Sequence, residues 1–448
     1  MKKMILLGFV LITGVTFFSC TSETEKRQTA QEILLHHRAA QIQEYLENLN
    51  KKQAAAVDAF INNMSLEQKI SQLFIENLQG NEQFRTFEDY GDISGKVDLT
   101  PLVAGGYLFF SANLAPTADG VMNFTNSIFA FCKKNNLIPP FLAIDQEGGF
   151  VNRLRGISGP LPSCLRVSEC LNPEQAMELY ALQAKQMALL GFNMNLAPVA
   201  EVCTDENSIF LNGRSFGNAL QVKEYGIKCL NAYQKNKIST VLKHFPGNTN
   251  TDPHTGLPEI LLSASDLQKS LEPFYFLIDF KPHGILMSHA RTSAYNPELP
   301  SCLSDFWVTQ VLREQCGYDG LILSDDIFMA ALAKNGYPPE KAVVMAIQAG
   351  IDCIMTSERR FSKPARYLYK EALANPDFEN KINQSVRHVL LYKIDLGFME
   401  YCYNGDEVSL EIAAQPVNSP AKLSMDERVE AFENLKQQNI QFYMEHFN

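Results

Sequence analysis

The chain is short of basic charge: across 448 residues, 39 Lys and Arg face 50 Asp and Glu, a net of −11. A protein whose main partner is nucleic acid needs a basic face to meet phosphates, and this balance argues against one. The ten cysteines include no Cys-x-x-Cys pair, so the usual sequence sign of a zinc site is missing. No Gly-x-Gly-x-x-Gly loop follows the first apolar strand pattern, which removes the dinucleotide-binding form of a doubly wound sheet. Internal repeats and low-complexity tracts are absent too. What remains is ordinary globular material, 46% apolar and 20% charged, long enough for one large barrel with extensions or for two domains.

The N-terminus reads as an export signal rather than as part of the fold. Lys2 and Lys3 precede an apolar run from Met4 to Phe18 that stops at Ser19-Cys20. That run is too short for a comfortable membrane span. A small residue followed by Cys resembles a bacterial lipobox, with Phe17 an uncommon residue within it. Cleavage before Cys20 would leave a lipid-modified N-terminus, and Thr21–Lys26 would be a polar tether. The domain reading is a signal over residues 1–19 and a tether with helical extension over 20–63. A catalytic domain over 64–400 and a C-terminal linker and helix over 401–448 complete it. The localisation expected is the cell envelope, lipid-anchored. Of the other nine cysteines, several lie in apolar runs as free core thiols. A bridge between Cys164 and Cys170 in an oxidising compartment is the alternative for that pair.

Downstream the pattern becomes rhythmic. Gln28 to about Asn63 is amphipathic and helical, and Ser65-Leu66-Glu67-Gln68 is a capping box that opens another helix. Short apolar runs then recur at Leu73–Ile75, Tyr107–Phe109, Phe141–Ile144, Asn193–Leu196, Thr240–Leu242, Ile285–Met287, Leu321–Leu323 and Cys353–Met355. Helical patterns lie between several of them, as at Pro173–Leu190, Val222–Lys235 and Ser265–Leu277. Strands alternating with helices imply parallel βαβ units, and eight of them predict a (β/α)8 TIM-type barrel. A large open doubly wound sheet is the alternative. Residues 413–424 read as a linker or wrap and Met425–Phe447 as a helix.

Polar residues gather where these strands end. Asp145, Gln146 and Glu147 follow the third, Lys243 and His244 the fifth, Ser288 and His289 the sixth, Asp325 and Asp326 the seventh, and Arg214 lies in the loop region after the fourth. Barrel active sites occupy that end of the strands. After Lys243-His244 the chain runs through a short polar loop to Asp252-Pro253-His254. An Asp two residues before a His can hold the imidazole and favour its charged form, which suits a general acid near neutral pH. A carboxylate at a rigid strand end, such as Asp325, suits a nucleophile. His289 and Glu147 read better as supporting residues.

Four segments together resemble glycoside hydrolase family 3, in its β-N-acetylglucosaminidase branch. They are Ile144–Gly149 with Arg153, Asn212–Gly217, Lys243–Gly247 continuing to Asp252-Pro253-His254, and Ser324–Met329, with Leu286–Ala290 fitting as well. The resemblance implies Asp325 as nucleophile and His254 as acid/base, oriented by Asp252. It implies Asp145, Arg153, Arg214, Lys243 and His244 as contacts to an N-acetylglucosamine ring, with no metal and no cofactor. The implied activity is retaining, exo-acting release of terminal N-acetylglucosamine from β-linked glycans or muropeptides. A glycan-binding lipoprotein with a degenerate loop, or a β-glucosidase-like enzyme, are the rivals. Departures are concentrated near the acid/base: Asn248-Thr249 replace the usual His-Gly, the loop is about two residues shorter, and Pro253 replaces a small residue. Phe150 and Glu201 replace the commoner Arg and Asp. Loop shape and fine specificity are where these changes would act.

Overall fold

The computed structural model describes residues 23–414 and 423–447. Cys20 and the leader before it lie outside the described residues, as does most of the 413–424 segment read as a linker. The chain forms two units. The smaller joins the described chain up to Phe60 with Tyr401–Leu410; the larger holds Ile61–Glu400 and the described residues from Glu411 onward.

The larger unit is the barrel. Its strands are β1 (Phe74–Asn77), β2 (Gly106–Phe109), β3 (Phe141–Ile144), β4 (Met194–Asn195), β5 (Ser239–Phe245), β6 (Gly284–Met287), β7 (Leu321–Ser324) and β8 (Ile354–Thr356). They pair in parallel in chain order, with β1 also paired to β8. The circle closes between β7 and β8 through the bridge Leu323–Cys353, where Ser324 N donates to Cys353 O at 2.9 Å. All eight strand expectations therefore fall on strands, and the open-sheet alternative is excluded by closure.

The principal helices are α1 (Glu23–Asn63), α2 (Leu66–Ser71), α3 (Ala118–Asn135), α4 (Pro173–Leu189), α5 (Ala219–Lys235), α6 (Ala264–Ile278), α7 (Pro339–Ala349), α8 (Ser362–Ala374), α9 (Pro376–Asp395) and α10 (Met425–Phe447). A wide helix, Phe306–Gln315, covers the step from β6 to β7. Caps start several of these where the sequence puts an Asx or Ser residue. Ser65 and Gln68 form the capping box of α2; Asn172 with Gln175 and Asn218 with Gln221 do the same for α4 and α5.

Strand alternation decides what fills the barrel. One buried cluster takes Ile75, Leu108, Phe141 and Ala143, Met194, Val241, Leu286, Leu321 and Leu323, Cys353 and Met355, one or two from each strand, with Tyr392, Leu396 and Phe398 at its floor. These are the layers of inward side chains that make such a barrel a packed core. Gly106 belongs to this arithmetic: a Cβ there would meet the Phe141 ring at 2.2 Å, so the wide ring requires a glycine beside it.

Two readings are corrected. Cys164 and Cys170 are free, and they are the first and last residues of one short helix. Six residues along a helix rise about 9 Å, beyond the reach of a disulfide. The start of the 401–448 region, given no strand in the sequence reading, forms a hairpin, Met399–Asn404 with Glu407–Ile412. Its tip belongs to the smaller unit, where Lys52 Nζ meets Asp406 Oδ1 at 2.9 Å and Gln53 donates to Tyr403 Oη at 2.9 Å. Helix α10 packs along α4 in the larger unit. Its Asn439 donates to Pro160 O at 2.8 Å, and its buried Arg428 donates to Leu189 O at 2.5 Å and Asn126 Oδ1 at 3.2 Å.

Candidate functional site

The inward rows of the barrel continue past the ends of the strands. On β3 the row runs Phe141, Ala143, Asp145; on β5, Val241, Lys243; on β7, Leu321, Leu323, Asp325. A period of two thus carries three of the expected site residues onto the inner rim at one end of the barrel. Pairing of β5 with β6 steps from Lys243 to Phe245 and skips His244. That bulge frees His244 from the strict alternation, and it engages the same cluster as Lys243.

The cluster is a dense charge network. Lys243 Nζ lies 2.6 Å from Asp145 Oδ1 and 2.5 Å from Glu147 Oε1. Glu147 also receives both arms of Arg214, Nε at 2.7 Å and Nη2 at 2.9 Å. Arg153 Nη2 is 3.8 Å from the other oxygen of Asp145, with its guanidinium over the Phe110 ring at 5.7 Å. Glu147 is 3% exposed and Lys243 3%. Burial alone would raise the Glu147 carboxyl, but Lys243 and Arg214 together outweigh it and hold the group well below the usual carboxylate range. For Lys243, burial lowers the ammonium and the facing Asp145 and Glu147 reverse that, leaving it above its ordinary value. Glu147 is therefore more than the turn support expected of it. It is the shared anion that fixes Arg214 and Lys243 in place.

His244 is held by a residue the sequence reading noted only as a departure. Its Nδ1 donates to Glu201 Oε1 at 2.6 Å, while Nε2 faces Arg214 Nη2 at 3.3 Å. A carboxylate can only accept and a guanidinium can only donate. The imidazole is thereby set as the Nδ1–H form, with Nε2 accepting. Glu201 further accepts from Asn248 N at 2.7 Å and Asn248 Nδ2 at 3.3 Å. Glu201 thus joins His244 and Asn248 through one carboxylate.

Asp325 begins the loop after β7, anchored by its N–H to Met287 O at 3.1 Å, and its Oδ1 accepts from Asp326 N at 2.8 Å. His289 is buried and engaged elsewhere, with Nδ1 at 3.2 Å from Cys302 Sγ and Nε2 at 2.9 Å from Asp326 O. It braces the Asp325-Asp326 turn from behind, in keeping with the packed role expected for it.

The Asp252–His254 pair is built differently. Asp252 Oδ1 accepts from His254 Nδ1 at 2.7 Å and from His254 N at 2.9 Å. The imidazole is 67% exposed. Burial would raise the Asp252 carboxyl, and the two donations from His254 overcome it, so the group sits below its ordinary value. With Nδ1–H committed to Asp252, Nε2 is the nitrogen left for another group. The short loop is braced at both ends. Asn250 N donates to Glu206 O at 2.7 Å and Asn250 Oδ1 accepts from Ile209 N at 2.9 Å; on the far side Ala331 N donates to Pro253 O at 3.0 Å. That last bond ties the loop of His254 to the segment that follows Asp325.

The structure thus joins Asp145, Arg153, Arg214, Lys243 and His244 in one contact network and links the loops bearing Asp325 and His254. Among the described residues no group of three or more His, Cys, Asp and Glu side chains is arranged to hold a metal ion.

Comparison with known proteins agrees with this layout. The glycosyl hydrolase family 3 N terminal domain matches residues 65–391. The chain is 29% identical over 310 residues to a beta-hexosaminidase A of Pseudoalteromonas piscicida, covering 62% of this chain and 50% of that protein. It is 30% identical over 268 residues to a beta-hexosaminidase of Hydrogenovibrio crunogenus, covering 57% and 72%. The chain spans only about half the length of the first of these relatives. Among solved structures, a glycoside hydrolase family 3 beta-N-acetylglucosaminidase from a Paenibacillus species superposes with a TM-score of 0.65 at 26% identity, over 83% of this chain and 68% of that one. A beta-N-acetylhexosaminidase from Beutenbergia cavernae gives 0.62 at 25%, over 74% and 99%.

Proposed function

The chain belongs to glycosyl hydrolase family 3, and on that premise we propose that it is a retaining, exo-acting β-N-acetylglucosaminidase. The observation that carries this reading is the pairing of a rim carboxylate with a tethered imidazole. Asp325 ends the inward row of β7, and the loop of His254 is bonded to the segment just beyond it. The relatives named beta-hexosaminidase support the choice of sugar.

In the first step the Asp325 carboxylate attacks the anomeric carbon. The glycosidic C–O bond breaks, and Nε2–H of His254 gives its proton to the leaving oxygen. Asp252 holds the ring by Nδ1 throughout and offsets the imidazolium charge. In the second step water attacks the same carbon, His254 takes a proton from it, and the ester to Asp325 is released as carboxylate. The sugar would be held by Asp145, Arg153 and the free donor capacity of Lys243 and Arg214, since a planar guanidinium and a carboxylate suit vicinal hydroxyls.

A panel of nitrophenyl β-glycosides tests the sugar, and NMR of the first-formed product tests the stereochemistry. Hydrolysis confined to the N-acetylglucosaminide with a β product is expected. Cleavage of the glucoside alone, or an α product, overturns the reading, and no cleavage of any glycoside would leave the binding-only rival. We also propose that the protein is anchored in the cell envelope through lipid on Cys20. Cys20→Ser should move it from the membrane to the soluble fraction, and a wild type found wholly soluble would refute the anchor.

A further inference from the structure

Behind the turn that presents Asp325 lies a hydrogen-bond relay that the catalytic steps above do not use. β6 ends at Met287, Ser288 and His289 follow, and a loop then closes on a single helical turn, Ser301–Leu303. Ser301 pins that turn beside His289. Its N–H donates to Ala290 O at 3.0 Å, and its Oγ donates to the same carbonyl at 2.5 Å. Cys302 is thereby carried against the imidazole, with Sγ 3.2 Å from Nδ1. Both side chains are buried.

The protons of this relay follow from what each partner can do. His289 Nε2 lies 2.9 Å from Asp326 O. A carbonyl only accepts, so Nε2 carries the hydrogen. Neither ring nitrogen meets a carboxylate, and a buried imidazolium without an anion is costly. The ring is therefore neutral, and Nδ1 is an acceptor. Cys302 must then donate. Burial and the nearby Asp325 carboxylate push its thiol well up, so the proton stays on sulfur. The relay runs from Sγ–H to Nδ1, and from Nε2–H to the carbonyl.

From the carbonyl the contacts reach the carboxylate. Asp326 O also accepts from Met329 N at 3.0 Å, and Asp326 Oδ1 accepts from Phe328 N at 3.0 Å. Asp326 N donates to Asp325 Oδ1 at 2.8 Å. A shift of residue 326 therefore moves the donor that fixes the Asp325 oxygen. We propose that Cys302 is a positioning residue: by donating to His289 it keeps the imidazole in its Nε2–H form, and so holds Asp326, and through it the Asp325 carboxylate, in the attacking geometry. The proposal rests on the reading of Asp325 as nucleophile. A residue without a donor at 302 leaves Nδ1 unanswered and frees the ring to carry its hydrogen there. The Nε2 lone pair would then face the Asp326 carbonyl.

The test compares Cys302→Ala with Cys302→Ser. Both shorten the side chain alike, and only serine keeps a donor. Alanine should lower kcat on an N-acetylglucosaminide by roughly threefold to tenfold with KM unchanged, the worth of one neutral hydrogen bond. Serine should bring kcat back to within about twofold of wild type, because its hydroxyl can take over the donation. Nitrogen NMR of the labelled histidine rings reads the tautomer without turnover, with the His289 signals assigned by their loss in His289→Gln. Wild type and Cys302→Ser should show the Nε2–H form, and Cys302→Ala should move toward the Nδ1–H form. An unchanged tautomer in Cys302→Ala, a wild-type kcat in it, or a loss that serine does not restore each overturns the proposal. If no glycoside is cleaved at all, the catalytic reading falls by itself, and the tautomer still decides whether Cys302 governs His289.

Discussion

Lys243 at the mouth of the barrel and Lys393 beneath its floor are both buried, 3% and 0% exposed, yet their surroundings act on the ammonium in opposite directions. Lys243 faces two carboxylates at 2.6 and 2.5 Å, which overcome its burial and raise it. Lys393 has one neutral partner, Gln72 Oε1 at 2.6 Å, and burial pulls it down to about 7. Burial costs a cation several kcal/mol unless an anion answers it. At the mouth that cost is met by a network that also fixes Arg214 beside Lys243. On the floor, where such barrels keep residues for stability, it is only partly met. Changes at the mouth should therefore register in turnover and binding, and changes on the floor in stability alone.

The largest effect belongs to Asp325→Asn. It removes the group that would form the bond while keeping its shape, so kcat should fall by about 10⁴-fold with KM little changed. Turnover within about tenfold of wild type, a mere ~1.4 kcal/mol of barrier, would break the division by showing that the mouth does not hold the nucleophile there.

Next comes Glu147→Gln. It leaves Arg214 and Lys243 buried with half their compensation gone, and stability should drop by about 3–5 kcal/mol, read as a lower urea midpoint. The sign with pH follows from the depressed carboxyl. The stabilisation is fully present above the ordinary carboxylate range and is lost progressively as pH falls below it, because the unfolded chain takes up the proton first. An unchanged midpoint at neutral pH would mean that the network is electrostatically idle.

His254→Ala separates the exposed dyad from this buried network. The dyad touches little of the core, so the melting temperature should hold while kcat on a chitobiose-type substrate falls by roughly 10²–10³-fold. The nitrophenyl analogue should lose far less, since its leaving group departs without a proton. Asp252→Ala should repeat the pattern more mildly. Equal losses on both substrates would move the acid role to another residue.

The legibility of these regions differed for a physical reason. Eight short apolar runs spaced by helices were enough to locate every strand of the barrel, because burial on both faces leaves a strand little compositional freedom. The ends of those runs placed Asp145, Lys243 and Asp325 on one rim. What stayed hidden was pairing across loops. Nothing local to Glu147 says that it will meet Arg214, 67 positions away, and Glu201 looked like a mere departure until His244 and Asn248 were seen bonded to it. The hairpin at Met399–Ile412 escaped because its pattern alternates weakly, with few buried positions in either strand.

Lys393→Met is the smallest effect and the sharpest test of the comparison. In the folded chain the ammonium is drawn down to about 7, with burial the main cause and the nearby Cys132 and Cys353 partly opposing it. In the unfolded chain it titrates near ~10.4. Between those values the unfolded state holds a proton that the folded state has given up, so wild-type stability rises with pH across that window. Above it both states are neutral and the penalty vanishes; below about 7 both are charged and the penalty is complete. Methionine keeps the volume and removes the charge. At pH 7 the variant should be more stable by about 2 kcal/mol, the gain being reduced because Gln72 Oε1 is left without its donor. By pH 10 the advantage should be gone or reversed, and kcat/KM should be that of wild type throughout. Urea denaturation of both proteins across this range reads the difference directly. A gap that does not change with pH would show that Lys393 keeps its proton in the folded barrel, and the contrast between the two faces would then rest on Lys243 alone.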